Sequence, residues 1–472
     1  MEAVNFKRLS IWLASPILAS LVIVLVYHLA KNYRFDSDAP LANYPTPSSL
    51  AEARAQDVEH LALFFEHERS WTPATFALAK ASYKRLRSVA ASMSDAEFDL
   101  GVALVVAAAN NGHTKIREYG RTPRYNRLPI RGHVFGDGYF IIRAHEGYES
   151  LLGKQVVAID GHSMKKLRAD LRQYVGGEKG MFDKYLPYLL ESPQLLHAAG
   201  LSSSPDSVSI EFIDAENRSE YAVFDAPFPS SSEQIARSYH LLAPQIYAES
   251  QPQWKSLHST EEDMPRYLRA PFEEFQFVQN ERLGISYLQF WSNNDSRDKS
   301  IKAFCEESLD SFRENPTQTL VIDQRFNGGG NYQKTSACMT AFGESVQPDG
   351  RLYVVIGGPT FSAGIVSAAY AMAAGGDRAM LIGTPVGDGL VSWSEDNLLT
   401  LPNSGIEIKF STGKHDLQNG CDDWRDCHWG GLFSDLRINS MTPDIEVHLT
   451  LDDYLNRRDP IMDAIEELSG NR

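Results

Sequence analysis

The residue types able to do chemistry gather in one stretch, Thr319 to Met372. Its first half reads Thr319-Leu320-Val321-Ile322-Asp323-Gln324-Arg325-Phe326-Asn327-Gly328-Gly329-Gly330, a β-rich run closing on three consecutive glycines. Such a run is a buried strand feeding a turn whose backbone can approach a ligand closely and expose amide donors. In the second half an apolar run from Leu352 breaks at Gly357-Gly358-Pro359 and restarts as Thr360-Phe361-Ser362-Ala363-Gly364. The alanine-rich segment Ile365 to Ala374 that follows reads as a buried helix. Ser362 therefore stands at or near a helix N-terminus, where unpaired N–H groups and the helix dipole favour developing negative charge. A serine in that position is also a preferred N-cap, and the residue alone does not separate the two roles.

A hydroxyl becomes a nucleophile only with a base beside it. Upstream, the helical pattern Phe98 to Ala109 runs into Asn110-Asn111-Gly112-His113-Thr114, where asparagine and glycine end it. His113 thus sits just past a helix end, and histidine is the side chain that changes charge nearest neutral pH. The chain has 13 histidines, so a capping or surface role is the competing reading of any one of them.

These segments belong to a chain of 472 residues, long enough for two to four domains. A formal net charge of −16 with no clustered basic face argues against a nucleic-acid partner. Ile11 to Ala30 is an apolar run, flanked by Lys7 and Arg8 and by Lys31 and Arg34, long enough to span a bilayer. A cleavable signal peptide competes with that reading, but no small-x-small site precedes Lys31, so an uncleaved transmembrane anchor over residues 1–34 is favoured. The part beyond it is expected to be exported, periplasmic or extracellular. Cys421 and Cys427 are close enough to pair, an open alternative to free thiols, while Cys305 and Cys338 fall in core-like segments. The cysteine spacing matches no usual zinc pair, and neither a metal nor a cofactor is expected.

Residues 35–49, rich in proline and small polar residues, read as a linker. Residues 50–125 carry apolar positions at helical spacing and form a helical domain holding His113. From 126 to 226 the texture becomes short strands and glycine turns, with Leu152-Gly153 and Ile159-Asp160-Gly161 flanking a strand and a helix-like stretch from Ser163. That order resembles a PDZ domain, which takes extended peptides at a sheet edge, or any small β-rich domain. Residues 227–275 read as a polar connector, and 276–472 alternate strand and helix as an α/β core.

The last domain resembles the C-terminal-processing, or tail-specific, serine protease superfamily, whose core is shared with tricorn protease. The strand and glycine turn at 320–330 is similar to the family's Asp-x-Arg-x-Asn-x-Gly-Gly signature, and Thr360 to Gly364 to its nucleophile turn. Ile382-Gly383-Thr384-Pro385-Val386-Gly387 stands for its Gly-x-x-Thr-x-Gly element; Thr442 to Val447 with Arg458-Asp459-Pro460 is similar to its closing strand and helix. The resemblance implies a crotonase-like α/β protease core. It departs at one point: where many members carry a catalytic lysine, this chain reads Gly387-Asp388-Gly389. The tricorn-like branch uses an upstream histidine, and Asn111-Gly112-His113-Thr114 is similar to that motif.

The resemblance implies Ser362 as nucleophile and His113 as base, with Gly328, Gly329, Gly330 and Ala363 supplying oxyanion N–H groups. For the orienting acid, Glu395, Asp435 and Asp388 are candidates in that order, each also readable as a solvated charge. The expected function is a membrane-anchored serine endopeptidase acting on protein or peptide substrates. The alternative is a non-catalytic peptide- or ligand-binding protein on the same fold.

Overall fold

The computed structural model describes residues 22, 35, 38–117, 124–227, 241–244, 253–260, 264–269, 273–280, 282–432 and 434–470. The apolar run at 11–30 lies, except for Val22, outside the described residues. Among those described, no helix is long and apolar enough to cross a membrane.

The catalytic-looking stretch lies in a six-stranded sheet ordered Ile445–Glu446, Ala379–Gly383, Arg351–Ile356, Thr319–Asp323, Ile285–Phe290, Phe275–Asn280. Neighbours run parallel except the last pair, which is antiparallel. The unbroken apolar reading of Leu320-Val321-Ile322 follows from burial on both faces. Leu320 and Ile322 pack with Phe312, Phe342 and Ile365 from helices Ile301–Glu314, Ser336–Glu344 and Ala363–Gly375. Val321 faces the other way, onto Ile461 and Ile465 of the helix Pro460–Leu468. Cys305 and Cys338, expected only as core residues, are joined as a disulfide between two of these helices. Cys421 and Cys427 also pair.

Two signature residues of the glycine turn prove to be fasteners. Arg325 is buried, its Nη1 and Nη2 donating to the two carboxylate oxygens of Asp459 at 3.0 and 2.9 Å, and its Nε lying 2.9 Å from Asp323. Tyr287 donates its hydroxyl to Asp323 Oδ2 at 2.7 Å, and Asp459 caps the helix Pro460–Leu468 by accepting from Ile461 N–H and Met462 N–H. The turn is thereby tied to the last helix. Arg325→Met would leave two buried carboxylates facing each other without their cation, and a loss of about 3–5 kcal/mol in urea unfolding is expected.

A second, antiparallel sheet contains Ile130–Phe135, Gly138–His145, Gln155–Ile159, Ser207–Ile213 and Ser219–Asp225 in that order. The stretch read as a connector contributes to it: Trp254–Ser256 pairs with Gly138–His145.

The N-terminal layer holds the helices Leu50–Leu61, Pro73–Val89 and Asp95–Ala107. Ser94 and Glu97 form a capping box that starts the last of them. Its Phe98, Val102 and Val106 bury against Leu399, Leu401, Ile406, Ile408 and Phe410 of the hairpin Val391–Thr400 and Glu407–Asp416. The start of the expected linker is part of this docking, since Asn397 Nδ2 and Thr412 Oγ1 donate to Phe35 O at 2.6 and 2.9 Å. Hairpin and helices, far apart in sequence, make one core.

Candidate active site

Ser362 occupies the N-cap position of the helix Ala363–Gly375, but its side chain makes no capping hydrogen bond. The hydroxyl is thus not used in the way an ordinary cap uses it. Its backbone sits at φ 54°, ψ −127°, a left-handed conformation costly for a residue with a Cβ. A serine held on a strained turn between a strand and a helix is the geometry of a nucleophile elbow. Gly364 makes the elbow possible: a Cβ there would overlap Asn327 O.

The glycine turn is stitched directly to this elbow. Phe361 N–H donates to Asn327 O at 2.9 Å, and Thr360 Oγ1 donates to Gln324 O at 2.8 Å. Gly329 (φ 109°) comes so near that a Cβ on it would lie 2.9 Å from Ser362 Cβ. The four candidate oxyanion donors divide at this point. Gly329 N–H is already committed to Asn327 Oδ1 at 3.0 Å, so the turn needs it for its own shape. Gly330 and Ala363 line the cavity with Ser362, and the Ala363 N–H, first of its helix, has no carbonyl a turn earlier to bond. Gly328 is not among the lining residues.

His113 reaches the same cavity, of about 210 Å³, from the N-terminal layer. Asn110 ends the helical run in a left-handed conformation (φ 52°), and Asn111 then anchors the loop to the hairpin. Asn111 Nδ2 donates to Trp393 O, Ser411 Oγ and Thr114 Oγ1, each at 3.0 Å. Thr114 Oγ1 and Ser411 N–H both donate to the buried Glu68. The ring of His113 lies against that of Phe361, centroids 4.4 Å apart, so the residue preceding the serine also carries the imidazole.

The carboxylate on His113 is Asp396. Its Oδ1 lies 2.7 Å from Nδ1, and its Oδ2 accepts from Lys409 Nζ at 2.7 Å. Burial alone would raise this carboxyl; the charge and hydrogen bond of His113, with Lys409 beyond it, outweigh that and hold it below the usual range. An ionised carboxylate can only accept, so Nδ1 carries the hydrogen of this bond. Nε2 is buried without a hydrogen-bond partner among the described residues. Glu395, the first acid expected in this role, lines the cavity but faces His415 and His428 instead. It has φ 60°, outside the strand region, so its side chain does not follow simple strand alternation. Asp435 is exposed and does not line the cavity.

Asp388, directly after Gly387, is buried near the histidine loop: a Cβ on Gly112 would lie 3.4 Å from its Oδ2. Its Oδ1 accepts from Gly389 N–H at 2.9 Å, while Oδ2 has no partner among the described residues. Burial pushes its carboxyl up to about 6, with the charge of His113 opposing. A folded value of about 6 against the ordinary 3.8 means that folding favours the protonated acid. Stability tied to this group is fully present below pH 3.8 and is lost as pH rises to about 6, by roughly 3 kcal/mol in total. Asp388→Asn should therefore flatten the fall in unfolding free energy between pH 4 and pH 7, as measured by denaturant titration at each pH.

No protein-family model and no curated protein matches this sequence. Solved structures do. A point mutant of CPAF superposes with a TM-score of 0.56 at 12% identity, over 89% of this chain and 97% of that one. Mature CPAF complexed with lactacystin gives 0.54 at 12% identity, over 88% and 98%. The chain shares the fold of CPAF. The photosystem II D1 C-terminal processing protease is more distant, with a TM-score of 0.35 at 13% identity over 85% of this chain and 94% of that one.

Sequence reasoning missed Asp396, and also His415 and His428 as neighbours of Glu395. The signal for the first was available in the pair Glu395-Asp396. Choosing between the two required the backbone angle.

Proposed function

We propose that this chain is a serine endopeptidase, with Ser362 as nucleophile, His113 as general base and Asp396 orienting the imidazole. The observation that carries the reading is Ser362 held in a strained turn, with no capping bond, on the wall of the cavity that His113 also lines. In the first step His113 Nε2 takes the Ser362 proton as Oγ attacks a peptide carbonyl. The resulting oxyanion would be met by the N–H of Ala363, with Gly330 beside it, and collapse expels the amine, protonated by the same Nε2. Water then repeats the sequence on the acyl-enzyme.

The antiparallel sheet at 126–226, read as PDZ-like, would present an extended segment of a protein substrate. The apolar run at 11–30 would anchor the protein in a membrane, with the rest exported. Two disulfides support an oxidising compartment.

One observation favours the non-catalytic alternative: no hydrogen bond joins Ser362 to His113 among the described residues, although such bonds often tighten only with substrate. A fluorophosphonate probe decides between the two. Covalent labelling mapped to Ser362, and lost in His113→Ala, is expected; an unlabelled serine in the folded protein would leave a binding module.

A further inference from the structure

Three side chains on the wall of the Ser362 cavity take no part in the proposed chemistry. Glu395 Oε1 lies 3.4 Å from His415 Nε2 and 3.7 Å from His428 Nε2. One donor atom from each of the three lies within 4.8 Å of the other two. Two ligands bonded to one tetrahedral ion at about 2.0–2.1 Å are roughly 3.3 Å apart, so the donors need only small side-chain movements to share an ion.

Each of the three is held by a separate device. Glu395 is turned by its left-handed backbone (φ 60°), and its side chain crosses the facing strand at Gly413, where a Cβ would meet its Cγ at 2.6 Å. Only glycine leaves that path open. His415 stands two residues on, on the same strand face as Gly413, with its ring stacked on that of His428, centroids 5.1 Å apart and planes 28° from parallel. His428 directly follows Cys427, the closing residue of the Cys421–Cys427 disulfide loop. Its N–H donates to Lys414 O at 2.9 Å, while Lys414 N–H donates to Asp426 O at 2.7 Å, so the loop is clamped to the His415 strand. The edge of Phe35 closes on its ring, with centroids 5.8 Å apart.

We infer that Glu395, His415 and His428 form a site for a divalent cation of the zinc class, placed so that the bound ion shares the cavity of Ser362 and His113. Two imidazoles and one carboxylate suit zinc better than calcium or magnesium, which take oxygen ligands. Three protein ligands leave a fourth position for water or a substrate carboxylate. Because the same cavity, of about 210 Å³, is lined by all five residues, an ion with its water reduces the room at Ser362. The cation thus acts as a reversible occupant of the cleft rather than as a participant in acyl transfer.

The test is calorimetric titration of the disulfide-intact protein with Zn²⁺, alongside Glu395→Gln, His428→Asn and Gly413→Ala. One ion per chain with micromolar or tighter affinity is expected, weakened at least tenfold in the first two variants; Glu395→Gln keeps size, and His428→Asn keeps a polar group while removing the Nε2 ligand. Gly413→Ala should weaken binding without removing a ligand. Tetrahedral d–d absorption on Co²⁺ addition, lost in Glu395→Gln, provides a readout independent of activity and of folding yield. Absence of saturable binding, or binding equal in wild type and both ligand variants, overturns the proposal. The occupancy effect rests on the serine reading: Zn²⁺ should slow fluorophosphonate labelling of Ser362 in wild type and not in Glu395→Gln. A serine unlabelled even after chelation counts against the nucleophile assignment alone. Equal labelling rates with and without saturating Zn²⁺ overturn the cleft-occupant role.

Discussion

Ser362→Ala and His113→Ala are each expected to lower kcat for casein cleavage by about 10⁴–10⁶, and the double variant to lose no more than the worse single one. Nucleophile and base act as a unit, so removing either abolishes the same step. The structure makes the test clean. The Ser362 hydroxyl makes no capping bond, so its removal costs the helix Ala363–Gly375 little. His113 Nε2 supports no neighbour, although its ring packs on Phe361 and its Nδ1 holds Asp396. Thermal unfolding within a few degrees of wild type for Ser362→Ala would show that lost cleavage is lost chemistry. Additive losses in the double variant would mean that the two residues serve different steps, and the assignment of His113 as base would fall.

Asp396→Asn is expected to lower kcat by about 10²–10⁴ while substrate binding changes little. An amide in place of the carboxylate can present its N–H to Nδ1 and so select the tautomer whose Nε2 carries the hydrogen, leaving nothing to accept the serine proton. Asp396 is suited to prevent this across the working pH range. Its folded value lies below the ordinary 3.8, so its stabilising contribution is present above that ordinary value and is lost only as pH falls towards the depressed one. From mildly acidic to alkaline pH it stays ionised. Glu395→Gln removes a carboxylate that faces His415 and His428 and should fall well short of this loss. Steady-state kinetics on the two variants separate the neighbours, and a larger kcat loss in Glu395→Gln would return the orienting role to it.

The turn that carries Ser362 was readable in the sequence because its requirements are local. Three glycines, a proline and a small-residue helix are needed wherever a backbone must turn sharply beside another, and Gly364 against Asn327 O is one such contact. The end of the helix before His113 was readable for the same reason, from Asn110, Asn111 and Gly112. That His113 and Ser362 line one cavity was not. It depends on Asn111 finding Trp393 O and Ser411 Oγ, and no periodicity records a contact across 282 or 300 residues. The pairing of Cys305 with Cys338 was hidden similarly, since each cysteine sits in a helix whose apolar face already explains its burial. The choice of Asp396 over Glu395 was hidden in a single backbone angle.

The hairpin Val391–Thr400 and Glu407–Asp416 has a consequence for the life of the protein before it is finished. Under the proposed roles, the base is synthesised 249 residues before the nucleophile (362 − 113), and the acid that orients it emerges later still. The histidine loop is anchored to Ser411, later again in the chain. A ribosome-bound chain that has made and folded its helical layer, and even the serine turn, therefore lacks the strand that aligns the histidine. Under those same roles, hydrolysis could begin only after residue 411 has been made and the hairpin has closed onto the helices, so the order of the chain itself would delay the activity during synthesis.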